Sequence, residues 1–185
     1  MNTPLTADER AYLLELARSV ITAEASNEPG PRPEARTAAL AEDRGAFVTL
    51  HIWDKLRGCI GYIEGVKPLV EAIADNALAA AFRDPRFGPI NVAEVSDLHI
   101  QISALTPLRL VGHWRDIEIP RHGVVLTRGA NKGVFLPQVA KEEGWDRDTL
   151  LSHLAMKADL DQDAWREGAS FQVFEAEVFA EKKPT

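Results

Sequence analysis

The first apolar residues of the chain recur at helical spacing. In LTADERAYLLELARSVITAEASN, residues 5–27, Thr6 and Glu9 have the spacing of a capping box, which marks the start of a helix. The apolar positions that follow lie three or four residues apart and form one stripe that faces a core: Leu13, Leu16, Ala17, Val20 and Ile21. We predict a helix that ends near Ser26 or Asn27, followed by a proline-rich surface loop, NEPGPRPEART.

From residue 46 the period changes to two, which is typical of strands. The stretches AFVTLHI (46–52) and LRGCIGYI (56–63) both alternate, and the short WDK between them predicts a β-hairpin. The apolar residues of VKPLVEAIADNALAAAF (66–82) return to helical spacing, with Pro68 where a first helical turn tolerates it. RDPRFGPINVAEVSD (83–97) predicts a loop, and LHIQISALTP predicts a strand that stops at its proline.

The same order, a hairpin and then a helix, occurs again in the second half. After short strands and loop at 108–121, HGVVLTRGANKGVFLP predicts a hairpin that turns at RGANKG. QVAKEEG and the stretch after Asp146 predict helices, and FQVFEAEVFA (171–180) predicts a single closing strand. Strands joined by tight turns and interrupted by helices indicate an α+β fold with a largely antiparallel sheet. The length of 185 residues fits one domain or two fused subdomains, at about 1–107 and 108–185.

Composition and charge narrow the classes of function. The formal net charge is −7, so nucleic acid is an unfavourable partner unless arginines form a local patch. The single cysteine excludes an intramolecular disulfide and suggests a reducing compartment. The polar N-terminus has no signal-peptide pattern, and the apolar runs are too short to span a bilayer. We therefore expect a cytoplasmic protein without membrane contact.

The only cysteine lies in LRGCIG, residues 56–61, within the second predicted strand. Strand alternation would place Arg57 and Cys59 side by side, where a guanidinium favours the reactive thiolate. Gly58 and Gly61 fit a place where another backbone or a ligand comes very close. The alternative interpretation is packing alone, because a free cysteine behaves as a small hydrophobe and glycines in strands mark bulges. The pattern leaves both interpretations open.

A second cluster of candidate residues, AFRDPRF (81–87), lies at the end of the helix predicted at 66–82. Arg83 and Arg86 are suited to form a fork for a carboxylate or phosphate, whereas Asp84 paired with an arginine would merely pin the loop. His122, at the start of a predicted strand, is a candidate acid or base.

Other candidates are scattered, and the common motifs are absent. Trp145 and His153 lie in the second half, and His153, among leucines, is better explained as structural. The chain has no HExxH, no close histidine pair and no carboxylate cage, so we predict no metal site. GANKG lacks the P-loop spacing, and neither GxGxxG nor GxSxG occurs, so we predict no cofactor.

Six motifs together resemble one known family. They are LRGCIG (56–61), AAAFRDPRF (79–87), ISALTP (102–107), HGVVL (122–126), GVFLPQVA (133–140) and GWD (144–146). On their order and spacing the chain is identified as a member of the AMMECR domain family, which in prokaryotes is called AmmeMemoRadiSam system protein A. Two positions depart from the family pattern. Asp159 in KADLD stands where a glycine is expected and affects a helix end, and Tyr62 replaces a small hydroxyl residue and would narrow a pocket beside Cys59.

The resemblance implies a compact α+β fold with two related hairpin-plus-helix units around a curved sheet. It implies association with a Memo-like protein, which resembles class III extradiol dioxygenases, and with a radical SAM protein. It supplies no reaction. Its motifs further imply that seven residues face one shared cleft: Arg57, Gly58, Cys59, Gly61, Arg83, Asp84 and Arg86.

Two functional hypotheses remain. In the first, the chain is a ligand-binding or adaptor subunit that holds a small anionic ligand near LRGCIG while its partners do the chemistry. In the second, the chain is an enzyme in which Cys59 is the nucleophile and Arg57 activates it. Arg83 and Arg86 would then orient an anionic substrate, and His122 would carry a proton. We favour the first hypothesis, because the sequence contains no established catalytic constellation.

Overall fold

The computed structural model describes residues 4–182, and its elements fall into two compact units. The first unit extends to Leu105 and resumes at Glu177, and the second is Thr106–Ala176. Each unit contains a four-stranded sheet with helices, and the strand pairs within both sheets are antiparallel, which confirms the α+β class.

The helices and strands of the described chain are, in order, α1 (Ala7–Ala25), α2 (Ala38–Ala41), β1 (Ala46–Ile52), β2 (Lys55–Tyr62), α3 (Leu69–Phe82), α4 (Val92–Val95), β3 (Leu98–Leu105), β4 (Arg109–Val111), a 3₁₀ turn (Trp114–Asp116), β5 (Gly123–Arg128), β6 (Asn131–Phe135), α5 (Pro137–Glu143), α6 (Arg147–Lys157), β7 (Ser170–Phe174) and β8 (Ala176–Ala180). The first sheet has the order β2-β1-β3-β8, and the second β4-β7-β5-β6. Between residues 4 and 182, no helix is both long enough and apolar enough to cross a bilayer.

Helix α1 begins and ends as its sequence predicts. The Thr6 hydroxyl accepts the Glu9 amide and the Glu9 carboxylate accepts the Thr6 amide, so both halves of the capping box are formed. The predicted apolar stripe is buried, and the helix is capped at Ser26. With α3, this helix supplies the buried residues that pack on one face of the first sheet.

The β1–β2 hairpin is confirmed, but its turn is tighter than WDK suggests. Trp53 and Asp54 form a two-residue turn with φ values of 51° and 61°, and β2 therefore starts at Lys55. The pairing contains a bulge, because His51 faces Leu56 while the preceding residue of β1 already faces Gly58. Arg57 is the extra residue of that bulge.

The backbone of helix α3 lies directly against β2 at Gly58. This contact explains why LRGCIG has a glycine at that position. A Cβ at Gly58 would overlap the backbone carbonyl of Ala80 in α3. Alanines along the helix keep its surface flat where it meets the sheet, and Ala77, Ala80 and Ala81 are all buried. A side chain at residue 58 would separate the helix from the strand.

Two predictions about local structure are wrong. Residues 83–97 are not all loop, because Val92–Val95 forms α4, started by a capping box in which Asn91 and Glu94 bond reciprocally. FQVFEAEVFA is two strands rather than one, since β7 belongs to the second sheet and β8 to the first. They separate at Glu175, whose N–H donates to Thr106 Oγ1 at 2.9 Å while its carbonyl accepts the Thr106 amide.

The second unit repeats the hairpin-then-helix order, as predicted. Strands β5 and β6 pair from Val124–Phe135 to Arg128–Asn131, and α6 starts at the N-cap Asp146. Asp159, just beyond the end of α6, has φ 58°, a left-handed conformation that costs a glycine least. The glycine that the family resemblance implies at this position therefore fits the backbone here.

We predict that Gly58→Ala lowers the free energy of unfolding by about 1–3 kcal/mol or more, because the added methyl group overlaps the α3 backbone. Urea unfolding followed by circular dichroism measures the change. Gly88→Ala is the matched control, since a Cβ there meets no atom within 4 Å, and we expect its effect to stay within about 1 kcal/mol. Equal stability of the two variants would contradict the close contact.

Candidate functional site

Cys59 lies on β2, the edge strand of the first sheet, on the face that turns away from the helices. Its cross-strand partner is Thr49, which alternates along β1 with the buried core residues Val48 and Leu50. The Thr49 hydroxyl and the Cys59 thiol form a hydrogen bond of 3.2 Å. The cysteine is free and half-buried, so the thiol is neither enclosed in the hydrocarbon core nor fully in solvent.

The backbone of Cys59 is held by side chains of the loop that follows α3. Its N–H donates to Asp84 Oδ2 at 2.9 Å, and its carbonyl accepts Arg86 Nη2 at 3.2 Å. The Asp84 carboxylate also accepts Arg86 Nη2 at 2.7 Å, and the Asp84 side chain is only 1% exposed. Because β2 is the edge strand of the sheet that residues 4–182 form, these two side chains complete the hydrogen bonds that a neighbouring strand would otherwise make.

Asp84 and Arg86, which together we call the clamp, stabilise each other's charges. The pKa of Asp84 is well below its ordinary value, chiefly because of the hydrogen bond from Arg86, with the backbone N–H groups of Cys59 and Arg86 adding to the effect and burial opposing it. The pKa of Arg86 is raised, mainly by its hydrogen bond to Asp84, and the nearby Cys59 adds a smaller electrostatic contribution in the same direction. Arg86 is therefore the guanidinium that bonds the Cys59 main chain.

Arg57 has a different partner. Its guanidinium donates to the Glu94 carboxylate through Nε at 2.9 Å and Nη2 at 3.2 Å, and Nη1 donates to the Gly88 carbonyl at 2.8 Å. The pKa of Glu94 is lowered, first by this hydrogen bond from Arg57. Together with the Asp84 clamp, this ion pair fastens the loop between α3 and β3 to the edge of β2.

Arg83 is the cation of the predicted cluster that stays unneutralised. It is exposed, and its side chain has no hydrogen bond or ion pair with any residue from 4 to 182. The carboxylate of Asp84 is committed to Arg86, so the two arginines of AFRDPRF play different roles. Arg86 still has more than half of its side chain, 55%, exposed to solvent.

The space beside the two glycines of LRGCIG is filled by the protein itself. At Gly58 the neighbour is the α3 backbone, and at Gly61 it is the Ala46 carbonyl and the ring of Phe47. At Gly58 another backbone does come very close, as predicted. Packing within the protein accounts for both Gly58 and Gly61. Tyr62 packs against the core cluster, with its hydroxyl buried and without a hydrogen-bond partner in the described residues.

His122 belongs to the second unit and is fixed locally. It is 3% exposed, and its Nδ1 accepts the Glu118 amide at 3.0 Å. Burial is the main cause of the lowered pKa of His122, which keeps the ring neutral at pH 7. His153, the other scattered histidine, stacks on Trp145 with ring centroids 4.0 Å apart.

The sequence analysis missed two residues of the site, Thr49 and Glu94. A two-residue turn alone would pair Thr49 with Gly58, and only the bulge at Arg57 shifts the register by one residue and brings Thr49 opposite Cys59. Glu94 has a local signal as the third residue after Asn91, which marks the start of α4. Its ion pair with Arg57 joins residues 37 apart in sequence and has no local signal.

The fold and the site define an α+β protein in which the backbone of a half-buried cysteine on an edge strand is held by a buried aspartate and its partly exposed arginine partner. The AMMECR1 family model matches residues 14–179, and the chain belongs to the AMMECR1 family. Its relatives include protein MK0488 of Methanopyrus kandleri, 42% identical over all of this chain and 94% of that protein. Protein MJ0810 of Methanocaldococcus jannaschii is 39% identical over 97% of this chain and 94% of its own length.

A solved structure supports the same fold. The crystal structure of the uncharacterized protein PH0010 from Pyrococcus horikoshii is similar with a TM-score of 0.80 and 36% sequence identity. The similarity covers 94% of this chain and 91% of that one. The relatives are proteins of the same family, and their names assign no reaction.

We predict that Asp84→Asn destabilises the protein and removes part of its acid sensitivity. Because the pKa of Asp84 is lowered in the folded state, its carboxylate contributes stability above about pH 4, and this contribution is lost as the pH falls further. Urea unfolding between about pH 5 and pH 3 should therefore show a wild-type advantage that shrinks with falling pH. Asp97→Asn, at an exposed carboxylate, is the control. A constant difference between wild type and Asp84→Asn across this range would contradict the role of the ion pair.

Proposed function

We propose that the protein is a ligand-binding adaptor that holds an anionic group at the clamped edge strand around Cys59. The observation that carries this proposal is the distribution of charge there. The two ion pairs Arg57–Glu94 and Asp84–Arg86 are each neutral, and Arg83 adds an unpaired positive charge next to them in the chain. In a protein with net charge −7, such a local cation is a favourable place for an anion.

Binding at this site would use the exposed parts of three residues. Arg86 donates through Nε to Asp84 and through Nη2 to the Cys59 carbonyl. Its side chain is still 55% exposed, so it is able to donate to a further acceptor. Arg83 is exposed beside it in the chain. The half-buried thiol of Cys59 borders the same clamp. Gly58 and Gly61 are explained by packing and have no ligand contact in this proposal.

The contacts of the thiol favour binding over nucleophilic catalysis. Its hydrogen bond in the described structure is with the Thr49 hydroxyl, and a hydroxyl is not a general base at neutral pH. His122, the candidate proton carrier, uses Nδ1 to fix its own turn and lies in the other unit. An enzyme with Cys59 as nucleophile is the second candidate, supported by the Arg86 guanidinium, which bonds the Cys59 carbonyl at 3.2 Å and so places a cation beside this residue.

The proposal includes partners and a location. We infer that the chain acts with a Memo-like protein and a radical SAM protein, which the family resemblance implies and which would perform the chemistry on the bound group. The single free cysteine suggests a reducing compartment and therefore the cytoplasm. We also propose that the two units form one AMMECR-type domain, since the family match extends through both.

The adaptor role predicts that both partners are recovered with the tagged protein from its own cells under gentle conditions. Arg83→Glu should reduce this recovery, because it reverses the unpaired charge at the proposed site. Arg32→Glu, an equal charge change at an exposed loop residue, should leave recovery unchanged. Quantitative mass spectrometry of the purified complexes is the measurement. Failure of the wild-type protein to recover either partner above background would remove the adaptor proposal.

The binding role and the enzyme role make opposite predictions for thiol reactivity. We expect Cys59 in the native protein to react with iodoacetamide more slowly than in urea, because the thiol is half-buried and bonded to Thr49. Rates at one pH, followed by mass spectrometry, measure the difference. Thr49→Val removes the hydroxyl at similar volume and should raise the native rate. A native rate above the rate in urea would support the nucleophile instead.

A further inference from the structure

The second unit contains a cavity of about 680 Å³ that is separate from the Cys59 site. Its walls come from the segment after the 3₁₀ turn, from the end of α5 and from the start of α6. This volume is in the range of sites that hold small molecules. The apolar part of the lining includes Ile117, Pro120 and Trp145.

Trp145 is a fixed wall of this cavity. Its indole stacks on the His153 ring with an interplanar angle of 5° and a centroid distance of 4.0 Å. Phe135 contacts it from another direction, with ring centroids 5.8 Å apart. A rigid indole that borders an open cavity offers a planar apolar surface at little cost in side-chain entropy.

Three cations line the same cavity: Arg115, Lys141 and Arg147. The guanidinium carbons of Arg115 and Arg147 lie 4.6 Å and 5.1 Å from the centroid of one indole ring, that of Trp114. Two like charges gathered around one ring repel each other unless an anion compensates them. The charge arrangement therefore favours a negatively charged ligand.

The acidic residues of the lining are committed elsewhere. Glu118 pairs with Arg121 at 3.3 Å, and Asp146 caps α6 by accepting the Thr149 amide at 2.8 Å. Asp148, outside the lining, forms an ion pair with Arg147 Nε at 3.7 Å, and Arg147 Nη1 donates to the Arg115 carbonyl at 3.0 Å.

Several basic groups at the cavity lack a hydrogen-bond acceptor or an ion-pair partner among the described residues. Arg147 Nε is buried and has no hydrogen-bond partner among the described atoms. The side chains of Arg115 and Lys141 have no ion pair with a residue in the range 4–182. Buried donors without partners are uncommon in native proteins and point to a missing acceptor.

We propose that this cavity is a second binding site, for a small ligand that joins a planar apolar body to a carboxylate or phosphate. Trp145 would contact the planar body, and Arg115 and Arg147 would bind the anionic group. Lys141 adds a third positive charge at the rim. The site does not depend on the proposed role of Cys59.

Indole N–H signals in two-dimensional NMR test this proposal, because the chain has only four tryptophans. The probes are phenyl phosphate and benzoate, which combine a ring with each anionic group, and phenol and inorganic phosphate, which carry one feature alone. We expect at least one ring-bearing anion to shift the Trp145 signal saturably and at least tenfold more tightly than phenol or inorganic phosphate. The tighter of the two probes identifies the anionic group. The signal of Trp53, exposed in the first unit, should stay unchanged.

Charge variants locate the site. Arg115→Gln and Arg147→Gln should each weaken binding about tenfold, as expected for loss of a hydrogen bond between charged groups. Arg109→Gln, an exposed arginine of the same unit outside the cavity, should not change it. The spectra themselves report whether each variant is folded, and Lys141→Gln, at an exposed position, should also weaken binding.

Several results would overturn the proposal. They are no shift of Trp145 with either ring-bearing anion, equal binding of phenol, equal binding of inorganic phosphate, equal shifts at Trp53, or affinities that the Arg115 and Arg147 variants leave unchanged.

Discussion

The edge of the first sheet depends on one buried carboxylate. The N–H and carbonyl of Cys59 point away from β1, at the outer edge of the sheet in the described chain, and unpaired backbone groups at a sheet edge invite pairing with another chain. Asp84 accepts the N–H, and Arg86 donates to the carbonyl. Burial of a carboxylate is costly unless it is paired, and the Arg86 guanidinium provides that pair. The strand end, the loop and the position of the thiol all rest on this interaction.

Two of the sequence motifs, LRGCIG and AAAFRDPRF, contact each other in the structure. LRGCIG supplies a backbone without a side chain at Gly58, and AAAFRDPRF supplies the helix backbone at Ala80 that occupies this space. The same second motif supplies Asp84 and Arg86 for the backbone of Cys59. A change in one motif therefore disturbs the other. Gly58, Asp84 and part of Arg86 thus serve packing and hydrogen bonding, while Arg83 and more than half of the Arg86 side chain remain exposed.

The arginines of the two units differ in how they are paired. In the first unit, Arg57 and Arg86 are each neutralised by a carboxylate and hold the loop between α3 and β3. In the second unit, Arg115 and Arg147 lie around one indole; Arg147 forms an ion pair with Asp148 at 3.7 Å, whereas Arg115 has no ion pair with a described residue. Ion pairs of the first kind maintain structure, whereas unpaired cations beside an apolar wall are suited to bind an anion. The protein thus offers two candidate sites with different chemistry.

The sequence by itself determined the elements whose causes are local. The capping box at Thr6, the period of two in β1 and the helical spacing after Asp146 each depend on residues a few positions apart, and the structure confirms them. Only the tertiary structure decided which sheet β8 joins, which carboxylate Arg57 binds and what fills the space beside Gly58. Those outcomes join residues far apart in the chain, and pairing across such distances leaves no period or spacing in the sequence.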